Sequence, residues 1–512
     1  MNDNIRLSVE KEINNIKDSY IKSVHRLNSD NGTAVSFTKD YAGRQIYELL
    51  QNAEDQVIDE NGIVKIVLSG NKLTVSNTGL PFSEKGLISI LYVCDSSKEH
   101  LTDKTIGYKG IGFRSVLNWS NDIKIISNGL KLEFSEKQAE DTFNSILTEV
   151  ENREKYESDY KSNNVTKVPV LVCPNITSAP IKNNGFDTIL EFICFDSVID
   201  NVKEQIEELK PEVLLFLTKI KTIDFEIDGK KKRFSRSENS DGTKKILSID
   251  YFNKSDTEIK EYDFFTEKGS IDGNFYEISI GYDRKRRESG DVLYSYFKTN
   301  VAISFPAYIH ATFELSSNRN ELLEDNSYNK ELTKKLAKKL AAVAVKISSL
   351  DSKDAIATYE PLKLLLTNTI DNSLMRYGLE DFINEEIKSS SLFPTIKNTF
   401  ISLQETPLYS DHKFDEILFP DSFSKLLKSC EDSIIHSYIV NIAKLKFYDD
   451  LTFKELLNQD ISLKRYSCVQ KCKLIQLINE SSVSGIGITL LEDLNGNIIS
   501  SEDNVYVQPS AR

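Results

Sequence analysis

The sequence predicts an α+β protein of about three domains, and three observations lead there. At 512 residues the chain is too long for one hydrophobic core. In a few long stretches apolar residues recur at three- and four-residue steps, the mark of helices with one buried face. Between them lie short runs rich in Val, Ile, Leu and Phe, bounded by Gly, Asn and Asp, which read as strands joined by tight turns. Composition shifts near Asp200 and patterning turns helical after about residue 350, so the expected divisions are 1–198, 199–350 and 351–512.

Residues 3–28 read as a helix with Ile5, Val9, Ile13, Ile16 and Tyr20 on one stripe, followed by a polar, glycine-containing break at 28–32. Residues 41–57 form a second helix, ending near 59–62. Strands over 63–68 and 72–75 meet at the turn Ser69-Gly70-Asn71. Ser83 caps a helix through Tyr92. The polar segment 94–112 is a loop, 111–119 is helical, and 122–126 and 130–134 are strands. The highly charged stretch 137–164 is an inserted helix or a surface excursion. Strands follow over 168–172 and 188–192, the first at a sheet edge because Pro169 has no N–H to donate. Residues 202–217 read as a helix, then strands alternate over 222–227, 275–280, 301–305 and 308–315. Residues 328–347 form a long helix with Leu332, Leu336, Leu340 and Val343 on one stripe. Beyond 350 the patterning is helical, broken by Pro361, Pro394, Pro407 and Pro420.

Bulk composition narrows the function classes. The chain is 39% hydrophobic and 28% charged, so it is an ordinary folded protein rather than a disordered one. A net charge of −14 argues against nucleic acid held over the whole surface. Two basic runs, 230–233 and 284–287, stand near turn signals at Asp228-Gly229 and Gly281 and read as solvated hairpin tips. The six cysteines show neither disulfide-framework nor zinc spacing, which implies free thiols in a reducing compartment. The N-terminus lacks the apolar core of a signal peptide, and no run of about 18 apolar residues occurs. The expectation is a cytoplasmic protein without a membrane partner.

Three segments carry chemistry. In Glu48-Leu-Leu-Gln-Asn52-Ala-Glu-Asp55, helical spacing places Arg44, Glu48, Asn52 and Asp55 on one face while Leu49, Leu50 and Ala53 point into a core. A carboxamide oxygen there is a hard ligand suited to Mg²⁺, and a carboxylate one turn away can orient or deprotonate water. In Val75-Ser-Asn77-Thr-Gly79-Leu-Pro81-Phe82, a strand end offers an acceptor to an exocyclic amine, and Gly79 lets a flat ring approach the backbone. In Ile106-Gly107-Tyr-Lys109-Gly110-Ile111-Gly112-Phe113-Arg-Ser115, three glycines precede a helix, so backbone N–H groups and the helix dipole converge on a phosphate. It is neither a Walker A loop nor a dinucleotide-binding fingerprint. Taken singly these are an amphipathic helix, a strand-to-turn junction and a glycine-rich loop; their order and spacing make the combination specific.

Together they resemble the Bergerat-fold (GHKL) ATPases, which include gyrase B, the large heat-shock chaperones, histidine kinases and MutL. Residues 48–55 resemble the N box, 75–82 the first glycine box and 107–113 the second. Residues 41–55 with 106–116 are most similar to sacsin-like ATP-binding proteins. The resemblance implies an α/β sandwich, a mixed and mainly antiparallel sheet with helices on one face, then an α/β transducer-like middle domain and a mostly helical C-terminal region. It implies ATP and Mg²⁺ as ligands, Glu48 as general base and Asn52 as metal ligand. Asp55 joins the nucleotide-binding set. Asn77 stands where most of the superfamily has the adenine-reading Asp, and Pro81 replaces a glycine of the first box. Gly107, Lys109, Gly110, Ile111, Gly112 and Phe113 form the phosphate loop. Residues 94–106 resemble the mobile lid, with Ser96, Ser97 and Lys98 as phosphate contacts. Thr188 matches the threonine that supports the base.

In His310-Ala-Thr-Phe-Glu-Leu-Ser-Ser-Asn-Arg319-Asn320, Arg319 resembles the middle-domain arginine that reaches the γ-phosphate in the chaperones. The competing assignment pairs it with Glu321 or Glu324. His310 is assigned a structural role. The resemblance implies slow ATP hydrolysis driving lid closure and homodimerisation, chaperone-like or sensor-like, with a partner protein or a nucleic acid as alternatives. Sacsin-like bacterial proteins occur in defence and DNA-modification systems. The alternatives are a non-hydrolysing ATP-binding scaffold and a histidine kinase, whose acceptor would have to be His25.

Overall fold

A computed structural model describes residues 2–40, 43–92, 112–161, 165–251, 257–283, 285, 290–316, 319–351, 356–366, 370–409, 424–447, 466–480, 491, 492, 495 and 497–499. By its contacts the chain divides into two units. The first comprises Met1–Arg286, Leu293–Asn300 and Ile309–Asp325; the second comprises Arg287–Val292, Val301–Tyr308 and Asn326–Arg512. The fold is mixed α+β with a large, mostly antiparallel sheet.

The first unit opens with helices α1 (Asn2–Lys22), α2 (Val24–Asp40) and α3 (Gln45–Gln56). Strands β1 (Gly62–Ser69) and β2 (Lys72–Asn77) form a hairpin whose tight turn needs Gly70 in the left-handed region, φ 57°. Helix α4 (Glu84–Leu91) starts at the expected cap, where Ser83 accepts from the Gly86 N–H. A 3-10 helix, Gly112–Asn118, leads to β3 (Asp122–Ser127) and β4 (Leu130–Phe134). Helices α5 (Glu136–Glu149) and α6 (Arg153–Lys161) precede β5 (Asn175–Ser178), β6 (Thr188–Ile193) and α7 (Ile199–Glu207). The remaining strands are β7 (Ile220–Ile227), β8 (Lys230–Glu238), β9 (Lys244–Asp250), β10 (Thr257–Ile271), β11 (Asn274–Tyr282), β12 (Val292–Ser295), β13 (Phe297–Ala302) and β14 (Tyr308–Ala311). They form one 14-stranded sheet in the order β13-β12-β14-β11-β10-β9-β8-β7-β1-β2-β6-β3-β4-β5. The pairs β1/β7 and β12/β14 are parallel.

Strand alternation explains why the end of this sheet that carries the site is buried on one face. Ile66, Val75, Leu190, Ile125, Leu132 and Ile176 stand in register across six neighbouring strands, each at most 8% exposed. Each such side chain contributes about 1.5–3 kcal/mol on burial. The other face carries partly exposed Lys65, Thr74, Lys124 and Glu191, with surface ion pairs such as Lys124–Glu133 at 3.3 Å and Lys72–Glu191 at 2.9 Å. Exposed pairs of this kind add about 1 kcal/mol at most.

Several sequence expectations are corrected. The break expected at 28–32 is helical: α1 and α2 meet at Ser23 instead, and Gly32 lies inside α2. Burial of Val24, Leu27 and Ala34 and the bond from Asn31 Nδ2 to Lys167 O outweigh the glycine's helical cost of about 1 kcal/mol. The strand expected at 168–172 is a turn, closed by Val172 N–H on Pro169 O, although its residues are buried; burial alone does not make a strand. The helix expected over 202–217 ends at Glu207, and Pro211 opens a separate 3-10 turn, Pro211–Leu215. The segment 111–119 takes the tighter 3-10 form over Gly112–Asn118. The stretch 137–164 supplies two helices, and Tyr156 of α6 is buried with its hydroxyl on Tyr20 O. Strands β8, β9 and β10 were not expected from the sequence. Their alternation is masked by charged residues on the open face, although Asp228-Gly229 and Asp272-Gly273, all at positive φ, mark the turns beside them. The run Lys230–Arg233 follows the first of these turns, and Arg233 grips Asp224 through two bonds of 2.6 and 2.9 Å.

The second unit is mainly helical. Its long helix α8 (Ser327–Asp351) buries Leu332, Leu336, Leu340 and Val343 to 1% or less, the expected stripe. Helices α9 (Glu360–Leu366) and α11 (Leu379–Ser389) pack on it, with α10 (Asn372–Arg376) between them in sequence. Helices Ser433–Ser437 and Cys468–Glu480 follow, with two-residue strands. No helix among the described residues is long and apolar enough to cross a membrane.

Candidate functional site

Helix α3 is the spine of the site. Ile46, Leu49, Leu50 and Ala53 are buried as its core face. Four polar side chains at three-residue steps, Gln45, Glu48, Gln51 and Glu54, are also buried, each at most 4% exposed. Buried polar side chains must find partners, and each of these does through at least one oxygen. Gln45 Oε1 accepts from Gln205 Nε2 at 2.9 Å. Glu54 Oε1 accepts from the Thr218 and Lys219 N–H groups at 2.7 and 2.8 Å, and Oε2 from the Ile220 N–H at 2.7 Å. That carboxylate ties α3 to the start of β7. Glu48 Oε1 lies 3.4 Å from Arg319 Nε, and Gln51 Oε1 accepts from Arg319 Nη1. Arg319 therefore pairs with α3. Arg44, at the N-cap of α3, donates to Asn320 Oδ1 at 2.7 Å and to Lys298 O at 3.0 Å. Residues 44, 48 and 51 of one helix face thus hold the consecutive residues 319 and 320.

On the same face, Asn52 lies one turn beyond Glu48 and Asp55 one turn beyond Gln51, both half-buried. The Asn52 carboxamide makes no hydrogen bond among the described residues, so its oxygen is available to a hard cation. The donor chemistry fits Mg²⁺, which takes one or two protein oxygens and completes its shell with phosphate and water.

The strand ends form a second polar cluster. Asn77 and Thr188 are register partners on β2 and β6, 4% and 2% exposed. Thr188 Oγ1 is 2.8 Å from Ser127 Oγ, which accepts from the Phe82 N–H at 2.9 Å. Asn77 Nδ2 donates to Thr78 O at 3.2 Å, which leaves Oδ1 as the side chain's acceptor. Asp187 Oδ2 accepts from the Gly79 N–H at 3.1 Å, and Asp187 pairs with Lys182 at 3.3 Å. Gly79 has a structural reason beyond the expected ring approach. At φ 130° its missing Cβ would lie 2.5 Å from Gln56 O, where α3 ends.

Gly112 and Phe113 begin the 3-10 helix, which packs on α2 and α3. Buried Arg114 ties it to the end of α4, with Nη2 donating to Ile90 O at 2.7 Å and Tyr92 O at 2.8 Å. The expected phosphate and lid residues Ser96, Ser97, Lys98, Gly107, Lys109, Gly110 and Ile111 lie outside the described residues. Sequence reasoning missed Gln51, Glu54, Ser127 and Asp187. The three-residue step from Glu48, which keeps Gln51 on its face, was a signal for the first; Glu54, Ser127 and Asp187 had none, because only tertiary contacts place them.

His310 is fully buried, stacked on Phe216 at 5.2 Å between centroids, with Nδ1 accepting from the Tyr296 N–H at 2.9 Å. Burial holds its imidazole neutral, pushing its pKa down to about 4, with Lys244 and Lys268 adding to the effect and Glu277 opposing it. The unfolded chain protonates this group near ~6.5. Between those two pH values the unfolded state binds more protons, so stability is full above about 6.5 and declines as pH falls toward 4, by about 3 kcal/mol. Denaturant titrations from pH 7 to 4 should show that loss, and His310→Leu should flatten it; an unchanged slope in the variant would remove the assignment.

No family model matches the chain, and no curated protein matches it.

Proposed function

We propose that the chain is a Mg²⁺-dependent ATPase of the Bergerat-fold type, its nucleotide held by α3, the strand ends at Asn77 and Thr188, and the glycine-rich segment 107–113. The observation that carries the reading is the meeting of Arg319 with Glu48 at 3.4 Å. The two residues assigned to catalysis on separate sequence grounds share one buried contact. In this reading 1–198 is the ATP-binding domain, 199–350 the transducer-like middle domain and 351–512 the helical C-terminal domain.

Glu48 orients and deprotonates the attacking water. Asn52 offers its oxygen to Mg²⁺, which when bound offsets phosphate charge. Asn77 Oδ1 accepts from the exocyclic amine of adenine, beside the Ser127–Thr188 hydroxyl pair. Arg319 offsets charge that develops as the phosphoryl group transfers. The output is a change of shape: nucleotide orders the lid and brings two chains together, in a chaperone-like or sensor-like role, with defence against phage as the setting the resemblance suggests.

Phosphate release by the full chain, with Mg²⁺ and with EDTA, tests this. Arg319→Ala should lower kcat about 10- to 100-fold with KM for ATP little changed. Unchanged kcat removes Arg319 from its role. Nucleotide binding without turnover favours the scaffold alternative, and neither binding nor turnover ends the ATPase reading.

A further inference from the structure

We infer that Gln51 is a positioning residue that parks Arg319 on Glu48, so that the base is paired and out of use until an anion in the site draws the guanidinium away. The inference rests on the ATPase reading for its consequence in turnover, and on geometry alone for the contact.

Three observations carry it. First, Arg319 faces the helix through two neighbouring groups, with Nε 3.4 Å from the Glu48 carboxylate and Nη1 donating to Gln51 Oε1. Second, the contact is sheltered: Glu48 is 4% and Gln51 2% exposed, and the arginine side chain 12%. Charge pairing is far less screened there than at the surface. Gln51 Nε2 is buried without a partner among the described residues. The carboxamide is therefore fixed by the arginine it accepts from and by nothing else on its own head group. Third, Arg319 is presented by a constrained backbone, φ 56° with its N–H on Ser316 O at 2.9 Å, while Asn320 is anchored by Arg44. Anchored main chain with a side chain held by one hydrogen bond and one ion pair is a part that changes partner without moving its base.

The logic is competition. A carboxylate and a carboxamide together offer one negative charge to the guanidinium; a terminal phosphate offers more charge and bidentate geometry. Phosphate in the site takes Arg319, and the same exchange frees Glu48 for water. Gln51 sets the threshold, since it strengthens the parked state and touches no reacting atom.

The test uses opposite substitutions at Gln51 in the full chain. Gln51→Met, nearly isosteric and without an acceptor, should raise kcat about fivefold with KM for ATP changed less than about twofold. Gln51→Glu, which adds charge to the parked state, should lower kcat by a similar factor. Both effects should vanish in an Arg319→Ala background. Equal effects in both backgrounds, or the same sign for both substitutions, would mean that Gln51 only packs α3. The nucleotide-free protein gives a second readout that does not depend on ATP. Thermal midpoints of Gln51→Met, Arg319→Ala and the double variant should be non-additive by about 2 °C or more. Additive midpoints overturn the contact. Non-additive midpoints in a protein that neither binds nor turns over ATP leave the contact standing and sink the function proposed above.

Discussion

If the proposed function holds, replacing Asn52 by alanine is expected to abolish the Mg²⁺-dependent part of ATP binding. The carboxamide is half-buried on α3 and has no hydrogen-bond partner to lose among the described residues, so the substitution should remove the proposed ligand and little else. A hard cation with few protein ligands depends heavily on each one, and the loss is expected to reach at least about 100-fold in affinity, or about 3 kcal/mol. Calorimetric titration with ATP, with and without Mg²⁺, measures it. If Asn52→Ala binds Mg-ATP as tightly as the native chain does, the metal site lies elsewhere.

Glu48→Ala has the second large effect and a different signature. Binding is retained, because the carboxylate faces water and Arg319 rather than the nucleotide in the proposed reaction. Turnover falls by about 100-fold or more, the usual contribution of a placed general base. Removing Glu48 also strips Arg319 of its ionic partner, so the variant should be compared with Glu48→Gln, which keeps an acceptor beside the guanidinium. Normal turnover in both variants would take Glu48 out of the chemistry. Normal turnover in the glutamine variant alone would show that the position needs an acceptor and not a base.

The two predictions separate because the two side chains of α3 have different partners. Glu48 and Gln51 meet Arg319, while the Asn52 carboxamide, one turn beyond Glu48, makes no hydrogen bond among the described residues. Helical periodicity gathers these groups directly: residues three or four apart share a face, and a step of one turns it by about 100°. For the same reason the long helix α8 and the hairpin β1–β2 were readable in advance. Each declares itself by a stripe or by a turn residue, local signals that survive any tertiary setting. Strands β8 to β10 were not readable, since a sheet with one open face dilutes its apolar alternation with charge. The helical course of α2 through Gly32 and the turn at 168–172 went unread for a related reason. In both, long-range packing and hydrogen bonding overrode local preference.

Local order along the chain fixes which side chains share a helix face, where turns fall, and which types of chemistry are gathered between Glu48 and Thr188. Those follow from backbone geometry that every residue obeys alike. The partners of the buried polar groups were settled by folding: Arg319 on Glu48 and Gln51, Glu54 on the amides of residues 218–220, Ser127 on Thr188. A buried donor or acceptor satisfies itself with whatever the three-dimensional fold brings within about 3 Å. Distance along the sequence carries no information about that choice.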